Sequence, residues 1–346
     1  MSIVPIVNKE AGALSSTAHL AVVFGMRKAW ERCEALKNTP HEPDFVASLV
    51  LESAPLIYRA YRQIFQSYEV EFSLTSVYCH QTPKITYPGI QQKTSCELGD
   101  LLFVHIHRER DGRTKRNALL YQAKVIAKQP HRIPSNEQHQ LKLYTDWPEF
   151  EYYHSPPLTG QERIITPQCP HRGAQYLLID DGKPNEARSG LLGFPGTYPA
   201  GSCVADAVLE DHNDLANEIV DSLAYRTGRA FGERPGSNSS PAGWTQTIWD
   251  LLDVSLKKVI RRKNSGLSTE PRVSAGPVEL FDGMCFALRT SNRASRTIFE
   301  ILGASDTDWL FSKNDGPPDD HENRMTAEEG APGMSLVLIE TSEAEE

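Results

Sequence analysis

The chain has 346 residues, 39% hydrophobic and 23% charged, with a formal net charge of -9 at pH 7. That length accommodates one large domain or two ordinary ones. No apolar run approaches the roughly 18 residues of a membrane span, and the negative charge excludes a general polyanion binder, since phosphate would be repelled by the whole-molecule field.

The N-terminus "MSIVPIVNKEAGAL" has neither the basic flank nor the long apolar region of a secretion signal. Cys33, Cys79, Cys96, Cys169, Cys203 and Cys285 form no CxxC pair, as expected of reduced thiols in a cytoplasmic protein. Residues 43–66, "PDFVASLVLESAPLIYRAYRQIFQ", set Phe45, Leu49, Leu56, Ala60 and Ile64 near a helical period, with Pro55 as a break, which predicts one or two helices. "EVEFSLTSVYC" (69–79) alternates Val70, Phe72 and Leu74 with polar neighbours before Val77, the pattern of a strand with a bulge or bend. "DLLFVHIH" (100–107) and "ALLYQAKVI" (118–126) read as strands, and the Asp-Gly of "RERDGRTKR" between them signals a hairpin turn. A helix followed by an antiparallel meander is the expected arrangement. Ser135 is the expected N-cap of a short helix ending at Trp147-Pro148.

From about residue 155 the composition changes, opening with the Pro-rich "HSPPLTGQERIITPQCPHRG", and the expected boundary between two domains, 1–155 and 156–346, falls there. In the second part "AQYLLIDD" predicts a strand, and residues 205–229 predict a helix with Leu209, Leu215, Ile219 and Leu223 on one stripe. Residues 244–266 predict an amphipathic helix whose basic end suits the negative end of its dipole. "DGMCFALRTS" and "GMSLVLIETS" read as strands around an acidic, Pro-rich loop.

Gln122 and Lys124 stand two apart on a strand and so share a face. Asp100 opens the preceding strand, and antiparallel pairing would bring its carboxylate beside the Gln122 amide. Two oxygen donors there, completed by waters and a phosphate oxygen, would suit magnesium or manganese. Lys124 would orient or acidify the attacking water and offset charge at phosphorus. A helix carboxylate would complete the site: Glu52 is the first choice, with Glu69 or Glu71 as replacements. The competing reading is a solvated strand face carrying Gln and Lys, with Asp100 ending a loop.

The order helix, strand, "GD" strand and "QAK" strand, over roughly residues 44–150, resembles the PD-(D/E)xK nuclease superfamily. The resemblance implies an α/β fold with a restriction-endonuclease-like core, a helix plus a mixed sheet, followed by an additional C-terminal α/β or α+β region. It implies that Asp100 and Gln122 bind the metal while Lys124 assists the water. Gln in place of Asp or Glu is found in branches of the superfamily that act on foreign or modified DNA, and Gly99 stands where proline is usual. The activity so implied is metal-dependent cleavage of duplex DNA, by a protein that acts as a homodimer in many nucleases of this fold. The alternative is a non-catalytic nuclease-like module that binds nucleic acid or a partner protein, such as an activating subunit.

Arg108, Arg110, Arg113, Lys115 and Arg116 crowd the hairpin tip and would make sequence-independent phosphate contacts, the other reading being a solvated tip. A second basic run, "KKVIRRK" (257–263), reads as decoration of a helix end. "CPHRGAQ" (169–175) looks like the first box of a Rieske iron–sulfur protein. Its second Cys-x-x-His box is missing, so Cys169 and His171 are expected to hold no cluster. His105 and His107, on one strand face, read as a packed pair in preference to a metal or phosphate site.

Overall fold

A computed structural model describes residues 2–79, 83–90, 95–166, 172–183, 199–236, 243–264, 285–289, 297, 301 and 333–343. Two helices unassigned from the sequence, α1 (Ile3–Lys9) and α2 (Ala11–Ala35), open the chain. The expected helical region follows as α3 (Glu42–Ser48), a π-turn over Leu49–Ser53, and α4 (Ala54–Gln66). Pro55 falls just after the π-turn in one continuous helical run, and the Val50 carbonyl that its missing N–H would leave open accepts from Ser76 Oγ at 2.8 Å. The π-turn packs on α2 at Gly25, where an added Cβ would strike Ser53 Oγ.

The chain then forms β1 (Val70–Val77), β2 (Lys84–Thr86), β3 (Cys96–Glu97), β4 (Leu101–Arg108), β5 (Thr114–Ile126) and β6 (His131–Arg132). A 3-10 turn, Ser135–Glu137, leads into α5 (Gln138–Asp146), which stops at Trp147 in the left-handed region, as the Trp-Pro pair suggests. Next come β7 (Phe150–Tyr152), β8 (Glu162–Arg163), β9 (Ala174–Asp180), β10 (Ala200–Cys203), β11 (Val208–Leu209) and β12 (Asn213–Asp214). The last elements are α6 (Leu215–Leu223), β13 (Arg229–Ala230), α7 (Gly243–Asn264), β14 (Cys285–Arg289) and β15 (Ser335–Glu343). The helix expected over 205–229 is thus confined to α6. Asp214 caps it by accepting from Ala216 N at 3.1 Å, while Leu209 pairs in a small two-stranded sheet and faces a different core from Leu215, Ile219 and Leu223.

Nine strands form one mixed sheet, ordered β12-β10-β9-β5-β4-β15-β1-β14 with β13 beside β5. β4 and β5 are the expected antiparallel hairpin, and β9 joins β5 in parallel. The expected meander does not form, because β15 enters between β1 and β4, antiparallel to the first and parallel to the second. A division at residue 155 therefore runs through this sheet, since β9 and β15 complete what β1, β4 and β5 begin.

Central strands buried on both faces need apolar side chains in both alternations, which is why "LLFVHIH" reads as a nearly continuous run. One face carries Leu101, Phe103, Tyr121 and Ala123 under α1–α4 and α6; the other carries Leu102, Val104, Leu120 and Tyr176 against α7, α5 and a four-stranded sheet ordered β3-β2-β7-β8. Among the described residues no helix is long and apolar enough to cross a membrane. Cys33, Cys79, Cys96 and Cys203 are buried and form no disulfide among the described residues, and Cys169 and His171 lie outside the described residues.

Candidate metal site at the root of the β4–β5 hairpin

Hairpin pairing sets Leu101 opposite Tyr121, and Asp100 N donates to Tyr121 O at 2.8 Å, so Asp100 stands beside Gln122. Asp100 Oδ2 accepts from Ala123 N at 2.7 Å and from Gln122 Nε2. The amide therefore turns its NH2 toward the carboxylate, and its oxygen, Oε1, is buried with no hydrogen-bond partner among the described residues. Gly99 leaves room for this packing: a Cβ there would lie 2.8 Å from the Tyr144 hydroxyl and from Leu120 Cδ1. Tyr144 spends that hydroxyl on Leu98 O at 3.0 Å, clamping the approach to Asp100.

Gln122 and Lys124 point to the face of β5 that also carries Leu120 and Ile126. Lys124 Nζ lies 2.9 Å from Glu137 Oε2 and 3.7 Å from Glu42 Oε1. Burial opposes its charge, but Glu42, Glu137 and Asp100 outweigh burial and hold its pKa above the ordinary lysine value. Lys124 is thus a fixed cation at neutral pH, able to offset charge and unable to accept a proton. Asp100 shows the reverse imbalance. Burial, then the charges of Glu97 and Glu42, raise its pKa well above the usual carboxylate range, against the Ala123 N–H and Lys124. Glu42 is raised by burial too, although Lys124 and a backbone N–H from Val125 favour its charge.

The other predicted residues lie elsewhere. Glu52 belongs to the helical layer over the opposite face, paired with Arg32, whose guanidinium also reaches Ser48. Burial lifts its pKa to about 7 against that partner. Beside Lys124 stand instead Glu42, the first residue of α3, and Glu137 of the 3-10 turn, with Tyr176 of β9 opposite Gln122, none of them foreseen. Tyr176 was signalled only by its alternation in "AQYLLIDD", since the parallel pairing that sets it opposite Gln122 is non-local. Glu69 and Glu71 sit at the other end of the sheet, where Glu71 pairs with Ser342 and accepts its hydroxyl at 3.1 Å.

The basic tip is also remote: β4 spans Leu101–Arg108, so tip and root are roughly 25–30 Å apart at ~3.3 Å per residue. There Arg113 Nε lies 3.0 Å from Glu109 and 2.6 Å from Asp111, Lys115 lies 2.6 Å from Glu109, and Arg108 lies 3.3 Å from Glu340. The backbone N–H of Arg110 donates to Glu343 at 3.2 Å, and Arg116 follows in β5. His105 and His107 are buried between these ends. They share Thr341 Oγ1 at 3.0 and 2.9 Å, and His105 stacks on Tyr225 with ring centroids 5.2 Å apart. Burial and its neighbour His107 hold His105 at a pKa of about 3, the state of a packed neutral ring.

A divalent ion at the root would meet the Asp100 carboxylate within the field of Glu97 and Glu42, and close by the orphaned Gln122 Oε1. Among the described residues no three His, Cys, Asp or Glu side chains converge to hold a metal. Such a donor set suits a largely hydrated magnesium or manganese ion, which takes one or two carboxylates and keeps several waters. It does not suit a closed protein cage. Compared with known proteins, the chain matches no family model, no curated protein and no solved structure, so the root is read from its geometry alone.

Proposed function

We propose that the protein is a magnesium- or manganese-dependent nuclease acting on duplex DNA, with a restriction-endonuclease-like core built from α4, β1, β4, β5 and β9. The observation that carries this reading is the convergence of Asp100, Gln122 and Lys124 at the root of one hairpin, with carboxylates in excess around them. A divalent ion bound at Asp100 would neutralise those carboxylates and acidify a water. Lys124, charged and held by Glu137 and Glu42, would face the negative charge that grows on the phosphoryl oxygens. In the reaction the water oxygen bonds to phosphorus and one bridging P–O bond breaks. The proton lost by water ends on the leaving oxygen, so hydrolysis consumes only water.

The test is cleavage of plasmid and linear duplex with magnesium or manganese against a chelator control. Asp100→Ala should lose both metal binding, read by calorimetry with manganese, and cutting. Lys124→Ala should keep the metal and lose about two to three decades of rate, the loss of roughly 3–4 kcal/mol of transition-state stabilisation. Cutting that survives in both variants would move the site elsewhere.

One observation favours a second reading, a nuclease-like module that binds DNA or a partner protein without cutting. Gln122 presents NH2 rather than oxygen to Asp100, and Lys124 is already engaged by two carboxylates. That reading expects duplex binding and no cleavage with either metal.

A further inference from the structure

Among the described residues, two buried polar atoms at the root find no hydrogen-bond partner: Gln122 Oε1 and the Tyr176 hydroxyl. Gln122 is 2% exposed and Tyr176 0%, and the two residues are direct neighbours in the parallel β5–β9 ladder. They share a face with Lys124, since Leu120, Ile126 and Leu178 alternate with them in the same core. Burial, then the nearby carboxylates Glu137 and Asp100, raise the Tyr176 pKa, so the phenol keeps its proton and stands in the field of the root carboxylates. The Gln122 amide is oriented by Asp100: Oδ2, which already accepts from the Ala123 N–H, also accepts from the amide NH2, so Oε1 faces away.

An amide oxygen accepts and a neutral phenol donates. Leaving two such groups buried and unpaired is costly, and one small molecule that donates to the first and accepts from the second satisfies both. We propose that Gln122 and Tyr176 cradle a water molecule beside Asp100, and that this water is the one presented to phosphorus. The proposal rests on the hydrolytic reading above and changes one part of it: Gln122 holds the water through Oε1 rather than ligating the metal. Tyr176 becomes a water-holding residue. Lys124, on the same face, supplies the neighbouring positive charge.

A high-resolution crystal structure of the full chain, with and without manganese, is the first test. The expected result is an ordered peak within hydrogen-bond reach of both Gln122 Oε1 and Tyr176 Oη, with no manganese anomalous signal. No peak there, or a manganese ion bound directly to Gln122 Oε1, would overturn the cradle. Tyr176→Phe is the second test, because the ring keeps its packing on Tyr144, at 5.5 Å between centroids. It should lower kcat roughly 10- to 100-fold, as loss of an orienting contact typically does, with KM for duplex unchanged. Wild-type kcat in Tyr176→Phe would reduce the water to a structural one and sink the proposal. An inert wild type with the peak in place would sink the hydrolytic reading, and the water's role with it, while the cradle stood. An active wild type with no peak would sink the cradle alone.

Discussion

At its two ends the β4–β5 hairpin gathers charges in different ways. The tip holds Arg113, Lys115, Glu109 and Asp111 within one turn, cation against carboxylate at 2.6–3.0 Å, with Arg113 largely in water. The root sets Lys124 among Glu42, Glu137 and Asp100, and Glu97 presses on Asp100 as well. Counted along the chain, the tip is the basic feature and the root is unremarkable. Counted in space, the tip is nearly balanced and the root is acidic. Exposed pairs in a turn rearrange freely and are each worth about 0–1 kcal/mol. Enclosed charges that do not balance cannot be screened, and that is where binding a proton or a cation becomes coupled to the fold.

The sharpest way to break this contrast is to remove the root's cation. Lys124→Met should cost about 2–3 kcal/mol in urea unfolding, below the 3–5 of a fully buried pair because Glu42 and Glu137 keep 35% and 29% of their side chains exposed. A cost under about 0.5 kcal/mol would make the root as soft as the tip.

Midway along β4, His105 provides a calibration. Its folded pKa of about 3 lies below its ordinary 6.5, so the unfolded chain takes the proton first and stability falls as pH drops. That amounts to about 2 kcal/mol between pH 7 and 5, and His105→Gln should flatten this part of the acid limb. Asp100 is shifted upward and should act with the opposite sign: the folded state keeps a proton that the unfolded chain gives up, so stability falls as pH rises above the usual carboxylate range. Asp100→Asn keeps an acceptor for Gln122 and Ala123 and should gain on wild type as pH rises above the usual carboxylate range, while losing manganese binding. A constant difference between the two proteins would show that the carboxylates are not crowded. The smallest effect belongs to the tip, where Arg113→Ala should change stability by no more than about 0.5 kcal/mol. If the tip nonetheless contacts DNA, Arg113→Ala together with Lys115→Ala should flatten the salt dependence of binding by up to about 0.9 in log–log slope per lost phosphate contact.

The hairpin itself was legible in the sequence because its cause is local: two apolar runs, an Asp-Gly turn, and a register that carries Asp100 to Gln122. The two strands flanking that hairpin were legible as strands but not as neighbours, since pairing of β9 with β5 and of β15 with β4 depends on contacts far apart in the chain. Glu52 lies away from the hairpin root for a geometric reason. The π-turn that carries it packs on α2 and hands its carboxylate to Arg32, leaving Glu42 to approach Lys124 from the start of α3. Residues 205–229 misled through a coincidence of spacing, since Leu209 matches the stripe of Leu215, Ile219 and Leu223 but lies ahead of the Asp214 cap.

The position of β15 has a consequence for how the protein is made. Roughly two hundred residues separate Arg108 from Ser335, and at 5–20 residues per second a ribosome takes about 10–45 s to synthesise them. During that interval β1 and β4 lack the strand that joins them, and each offers a long apolar edge of the kind that pairs with other chains. The slot between β1 and β4 can close only once Ser335–Glu343 has emerged.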